Sequence, residues 1–288
     1  MNAIHQQPRV GLALGGGGVR GLAHLGVIKV LEEQGVRVDF LAGTSMGGVL
    51  AAAYAAGNSP VEMEKEALRV TKPIQFIRLF DLALPWRSLF KGERLRKYFL
   101  TLVGEAQTFA DLRIPVRLVS ADLESGEQVI LKDGALGDAL AATSAVSGVF
   151  PPVMLNDHRL VDGAFLNNVP ADQVREMGAD VVIAVDINVD PEDPDLWDKK
   201  FGSSLMPKLL PPFTLNAYRS FWIMIQALTQ TNYQRAQPEI IIKPQFSNGT
   251  AVFFGFRHAE QVISDGEKAA RAALPDINAA LHLHDAVA

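Results

Sequence analysis

The 288-residue sequence contains no cysteine. That excludes disulfides and any thiolate metal site, and it fits a reducing compartment. A bilayer-length apolar run is also missing. The longest uncharged stretch, residues 40–61, is interrupted by Thr44, Ser45, Asn58, Ser59, Pro60 and several glycines. It reads as strand, turn and helix rather than a membrane span. The first ten residues lack a basic region followed by an apolar stretch, so no signal peptide is read there. A cytoplasmic protein is expected. There is no surplus of positive charge: 27 Lys and Arg stand against 32 Asp and Glu, a net charge of −5. Nucleic acid is therefore a poor fit as the main partner, because phosphate neutralisation needs a clustered basic surface. Hydrophobic residues make up 48% and charged residues 20%, an ordinary globular balance. A chain this long can bury a large core as one domain, 1–288.

Apolar patterning predicts strands over 9–14, 36–41, 116–122, 127–131, 159–161, 180–186 and 239–243. Helical patterns cover 19–34, 46–56, 60–70, 93–102, 138–146, 214–235 and 258–273, with Gly35 as a stop, Ser59 as a cap and Pro60 at a first helical position. This alternation predicts α/β layers around a largely parallel sheet. Residues 71–90 are apolar without clean periodicity. An acidic, proline-containing loop is read over 190–198, and 201–213 is irregular.

Two glycine-rich stretches carry chemistry. The sequence Gly43-Thr44-Ser45-Met46-Gly47 lies between an apolar strand and an apolar helix, the context a nucleophile elbow requires. Glycine at 43 and 47 relieves collisions in so tight a turn. Ser45 then projects at a helix N-terminus, where the dipole favours developing negative charge.

The other stretch, Gly16-Gly17-Gly18-Val19-Arg20-Gly21, follows a strand and opens a helix. It satisfies a dinucleotide-binding pattern, which also wants an acidic residue at the end of the second strand. The candidate, Asp39, lies ahead of that end. The alternative is an oxyanion hole built from the amides of Gly16, Gly17 and Gly18, with Arg20 adding charge or buttressing the loop.

A serine nucleophile needs a base. Of the six histidines, none sits in a loop after a strand. His5 falls in a tail, His24 within the first helix, and His282 and His284 near the C-terminus; His258, opening a late helix, is the best of them. Asp162, followed by Gly163 after a short strand, is better placed. Its ordinary pKa makes it a weak base that partial burial would strengthen.

These blocks together resemble the patatin-like phospholipases of the short bacterial kind. The resemblance rests on Gly16–Gly21, on Gly43–Gly47, on Asp162-Gly163-Ala164, on the serine-rich Phe-Pro-Pro segment 142–152, and on the continuation to Pro170. It covers roughly residues 8–190. It implies a three-layer α/β/α domain, with 191–288 as an extension completing it or capping the site. It implies a Ser45–Asp162 dyad without histidine and an oxyanion hole at Gly16, Gly17 and Gly18. It further implies hydrolysis of phospholipid or lysophospholipid acyl esters through an acyl-enzyme, with no cofactor and no metal.

A lipid ester needs an apolar channel and allows peripheral contact with a membrane. Segments 74–90 and 205–228 are candidates, with Trp86, Arg87 and Lys91, or Phe221 and Trp222 beside Arg219, at the interface. The competing reading places these aromatics in the core. A dinucleotide-binding α/β protein and a non-catalytic membrane-associated module are the alternative functions.

Overall fold

A computed structural model describes residues 7–83, 88–189, 212–246 and 258–287. Its strands are β1 (Val10–Leu14), β2 (Phe40–Thr44), β3 (Val116–Asp122), β4 (Gln128–Leu131), β5 (Val153–Leu155), β6 (His158–Asp162), β7 (Val181–Val185) and β8 (Ile240–Ile242). They form one sheet in the order β5-β6-β3-β2-β1-β7-β8, with β4 also paired to β3. The run β3-β2-β1-β7-β8 is parallel, while β4, β5 and β6 join in antiparallel fashion. The largely parallel sheet expected from the alternation is borne out.

The helices are α1 (Ala23–Glu33), α2 (Met46–Ala55), α3 (Pro60–Val70), α4 (Pro73–Arg78), α5 (Glu93–Leu102), α6 (Leu136–Thr143), α7 (Ala171–Glu176), α8 (Pro212–Ala236) and α9 (Ala259–Val287). They cover both faces. Side chains alternate across a strand, so β1 sends Val10, Leu12 and Leu14 to one core and Ala13 to another. The first core takes in residues of α1, α2, α6 and α9; the second takes in residues of α7 and α8. Burial on both faces explains why β1 and β7 are apolar throughout.

Element ends follow local chemistry. Ser59 and Glu62 form a reciprocal capping box with Pro60 in the first turn of α3. The second strand begins at Phe40, later than its apolar pattern begins. Residues 34–39 serve to turn the chain: the Val36 N–H donates to the Leu31 carbonyl and the Asp39 N–H to Val10. The last helix continues past 273 and through Pro275 to Val287.

That helix crosses α1 at very close range. A Cβ added to Gly26 would lie 2.1 Å from the Ile263 carbonyl oxygen, and one on Gly266 would lie 2.0 Å from that of Ala23. Two glycines facing opposite backbones let the helices meet almost main chain to main chain. Lys29 bonds Glu267 across the crossing at 2.8 Å. The C-terminal part of the chain thus braces the helix that follows the glycine loop.

Candidate active site

The parallel register sets the site at the C-terminal ends of β1 and β2, where open α/β sheets place their ligands. Leu14 pairs with Gly43, and the two glycine-rich loops leave the sheet side by side. Ser45 sits at the tip of the second loop with φ 55° and ψ −128°, an unusual backbone for a residue with a Cβ. Its neighbours enforce this conformation. A Cβ on Gly43 would lie 2.6 Å from the backbone of Gly47 and Gly48, and one on Gly47 would lie 2.2 Å from the Leu14 carbonyl oxygen. The Ser45 N–H donates to Thr143 Oγ1 at 3.0 Å, and that hydroxyl donates to the Val119 carbonyl at 2.6 Å. Thr143 therefore fastens the turn to β3.

Asp162 arrives through the sheet. Thr44 is in register with Val119, and the next residue of β3, Ser120, is in register with Asp162. Thr44 and Asp162 thus lie on adjacent rungs, and Ser45 follows Thr44 directly. Gly163 makes this approach feasible, since a Cβ there would lie 2.4 Å from the Val119 carbonyl oxygen. Asp162 is 3% exposed. Burial raises its pKa to about 6, opposed by hydrogen bonding from the Ser45 hydroxyl and from the Ala164 N–H. The Ala164 bond is 2.9 Å long.

The glycine loop is pinned at its base. The Gly15 N–H donates to Val185, and the Gly16 N–H donates to the Asn168 carbonyl, both at 3.1 Å. Asn168 returns a bond from Nδ2 to the Gly16 carbonyl at 2.9 Å. The Gly16 amide is thus engaged within the protein, whereas the Gly17 and Gly18 amides meet no acceptor among the described residues. Gly16 must be glycine for another reason: its Cβ would lie 2.6 Å from Asn168 Oδ1 and 3.0 Å from the Ser45 Cβ. Arg20 is buried, donates to the Asn188 carbonyl at 3.0 Å and lies 4.8 Å from the centre of the Phe246 ring. Of its two expected roles, that geometry fits buttressing.

The histidines divide clearly. His24 is fully buried with Nε2 2.7 Å from the Gly15 carbonyl, and burial lowers its pKa to about 4. It is a neutral ring whose Nε2 donates to the Gly15 carbonyl and steadies the glycine loop, while its Nδ1 is buried with no hydrogen-bond partner among the described residues. His158 bonds Asp122 through Nδ1 at 3.0 Å. His258 is exposed at the head of α9, and His282 is exposed far along that helix. His5 lies outside the described residues, as does the side chain of His284.

The dinucleotide reading fails at Asp39. Its carboxylate accepts the Val10 N–H at 2.9 Å and pairs with Arg37 at 3.0 Å. It therefore lies at the start of β1, the end of the strand opposite the glycine loop.

Ser45 opens into a cavity of about 400 Å³ between α2, α3, α4 and α5. Its walls include Val49, Met63, Val70, Phe76, Leu79 and Phe99. Of segment 74–90, Phe76, Leu79 and Phe80 line the cavity. Trp86 and Arg87 lie outside the described residues, as do 190–198 and 201–211. The interface reading of Phe221 and Trp222 is corrected: Trp222 is 3% exposed and packs with Val189 and Ile225, and Phe221 meets Phe165 edge to face. Both are core residues.

Two anchoring residues were not assigned from the sequence. Thr143 and Asn168 lie inside the family-like segments 142–152 and 162–170, so their position was legible and their role was not. Ser144, next to Thr143, lines the cavity with a buried hydroxyl that has no hydrogen-bond partner among the described residues.

The family described as patatin-like phospholipase matches residues 12–175. Patatin-like phospholipase domain-containing protein 6 of Mus musculus is 36% identical over 200 residues, covering 68% of this chain and 14% of that protein. Lysophospholipase NTE1 of Candida albicans is 33% identical over 188 residues, covering 64% of this chain and 14% of its own length. The crystal structure of VipD from Legionella pneumophila aligns over 93% of this chain and 67% of that one, with a TM-score of 0.49 and 12% identity. The chain thus corresponds to about one seventh of the curated relatives it matches. From the extent of the family match and the identity to these relatives, the chain belongs to the patatin-like phospholipase family.

Proposed function

We propose that the protein hydrolyses acyl esters of lipids, with Ser45 as nucleophile and Asp162 as its base. The observation that carries this reading is the strained Ser45 turn, open to an apolar cavity and backed by a buried carboxyl whose pKa is about 6. A base of that pKa is mostly ionised at neutral pH and is still basic enough to take a proton in the transition state.

In the proposed sequence the ester carbonyl lies over Ser45 with its acyl chain in the cavity. The Ser45 oxygen attacks the carbonyl carbon as the proton passes to Asp162. The amides of Gly17 and Gly18, with the N-terminus of α2, stabilise the developing oxyanion. Asp162 returns the proton to the departing alcohol, leaving an acyl-enzyme. Water, deprotonated by Asp162, then attacks the acyl carbon; the bond to the Ser45 oxygen breaks, Asp162 returns the proton to that oxygen, and the fatty acid leaves.

Phospholipid or lysophospholipid is the proposed substrate class. Family membership and the printed name of the Candida relative support it. So does the apolar cavity, which offers a buried path for an acyl chain beside the serine. The test is turnover of a lysophospholipid and of a short soluble ester by the wild type, Ser45→Ala and Asp162→Asn. The reading expects both substrates to be cleaved by the wild type and by neither variant. Full activity in Asp162→Asn, or loss of activity in His258→Ala, would return the base to a histidine.

A further inference from the structure

Residues 72–83 and 88–91 roof the cavity and have two faces. Inward, Phe76, Leu79 and Phe80 line the channel, and Phe80 packs on Phe90 with ring centres 4.7 Å apart. Outward, Ile74 and Ile77 are each 70% exposed, Leu82 is 79% exposed and Leu89 is 58% exposed. Scattered exposed apolar residues need no explanation, but four of them on one short segment do. Ile74 and Ile77 share one side of α4, three residues apart. Leu82 and Leu89 are drawn together by the antiparallel bridge of Leu82 to Phe90 and by the Ala83 N–H donating to Leu89.

Charge borders this patch. Lys72, Arg78 and Lys91 are exposed. The one acidic residue among the described residues of the segment is Asp81, whose carboxylate is turned to the Gly92 N–H at 3.0 Å. A cationic rim on a chain of net charge −5 is a local reversal of sign. No described helix is long and apolar enough to cross a membrane.

We propose that the surface formed by residues 72–83 and 88–91 docks the protein on an anionic lipid bilayer. Ile74, Ile77, Leu82 and Leu89 enter the boundary of the acyl region, while Lys72, Arg78 and Lys91 meet headgroup phosphates. A lipid leaving the bilayer then has only the thickness of this segment to pass before reaching the cavity. The choice of a bilayer over a protein partner rests on the lipid-hydrolase reading, on the charge of the rim and on the continuity of the patch with the cavity roof.

The test is co-sedimentation of the intact Ser45→Ala protein, which leaves vesicles undegraded, with phosphatidylcholine vesicles with and without phosphatidylglycerol. Binding is expected to be stronger with phosphatidylglycerol. Adding Ile74→Ser and Ile77→Ser lowers partitioning by at least about tenfold on both vesicles. Adding Lys72→Gln and Arg78→Gln instead lowers it about thirtyfold on the anionic vesicles. The same substitutions in the active protein leave turnover of a soluble ester within about twofold. If the isoleucine variant fails to fold, the exposed charge pair decides alone. Absence of binding to anionic vesicles overturns the proposal, as does binding unchanged by both pairs. So does a dimer that the isoleucine variant dissociates in sedimentation velocity while vesicle binding persists, since the face would then cover a second copy. Failure of the hydrolase reading shows separately, as a wild type that cleaves no acyl ester while its vesicle binding stays readable.

Discussion

Ser45 and Asp162, 117 positions apart in the sequence, meet across β3: Val119 pairs with Thr44, the residue before Ser45, and the next residue, Ser120, pairs with Asp162. Strand register, rather than a flexible loop, therefore sets the distance between alcohol and carboxylate. The Gly43, Gly47 and Gly163 positions are the steric conditions for that register.

Replacing Asp162 with Asn is expected to abolish turnover and to raise stability. The folded carboxyl has its pKa raised to about 6, above the unfolded value. Such a group contributes stability below the unfolded pKa, and that contribution is lost as pH rises through about 6. At pH 8 the native protein holds an ionised, buried carboxylate at a cost that Asn removes, worth up to about 3 kcal/mol. Asn keeps the acceptor for the Ala164 N–H. Denaturant melts at pH 8 check this, and an Asn variant less stable than the wild type would contradict it.

The same pKa fixes the acid side of the activity profile. If Asp162 is the base, kcat/KM for a soluble ester falls as the pH drops through about 6 and is about tenfold below its plateau at pH 5. An inflection that moves with substitution of a histidine would assign the limb elsewhere.

Filling the cavity separates chain recognition from chemistry. Ala67 lines it from α3, away from the Ser45 turn. Ala67→Phe is expected to lower kcat/KM for a long-chain ester by at least about tenfold, while a two-carbon acyl ester is cleaved at near the wild-type rate. Equal losses on both esters, measured side by side, would mean that the acyl chain lies elsewhere.

The crossing of α1 and α9 supplies a stability prediction remote from the chemistry. Gly26→Ala or Gly266→Ala places a methyl group against an opposing carbonyl, so the helices must move apart. Each change is expected to cost about 2–4 kcal/mol, read as a lower denaturant midpoint. Because α1 carries His24, which bonds the Gly15 carbonyl, activity should fall with it.

Much of this was legible in the sequence where local chemistry decides structure. The Ser59 cap with Pro60, the apolar β7 strand and the strand–turn–helix around Ser45 follow from residue types within a few positions. So did the preference for Asp162 over the histidines. What escaped was decided by distant partners. That Phe221 and Trp222 are core depends on Val189, Ile225 and Phe165, which no local pattern reveals. The engagement of the Gly16 amide depends on Asn168, far along the chain. The anchoring role of Thr143 depends on the Val119 carbonyl of another strand. The delayed start of β2 reflects the hydrogen bond of Asp39 to Val10, a demand of the neighbouring strand rather than of residues 36–39 themselves.

The account turns on one atom, the Ser45 hydroxyl, and intact-protein mass spectrometry after exposure to a fluorophosphonate tests it most directly. One phosphonyl adduct is expected on the wild type, mapped to the peptide holding Ser45, retained in Ser144→Ala and absent from Ser45→Ala. An adduct that survives in Ser45→Ala, or a native wild type that takes none, would contradict the account.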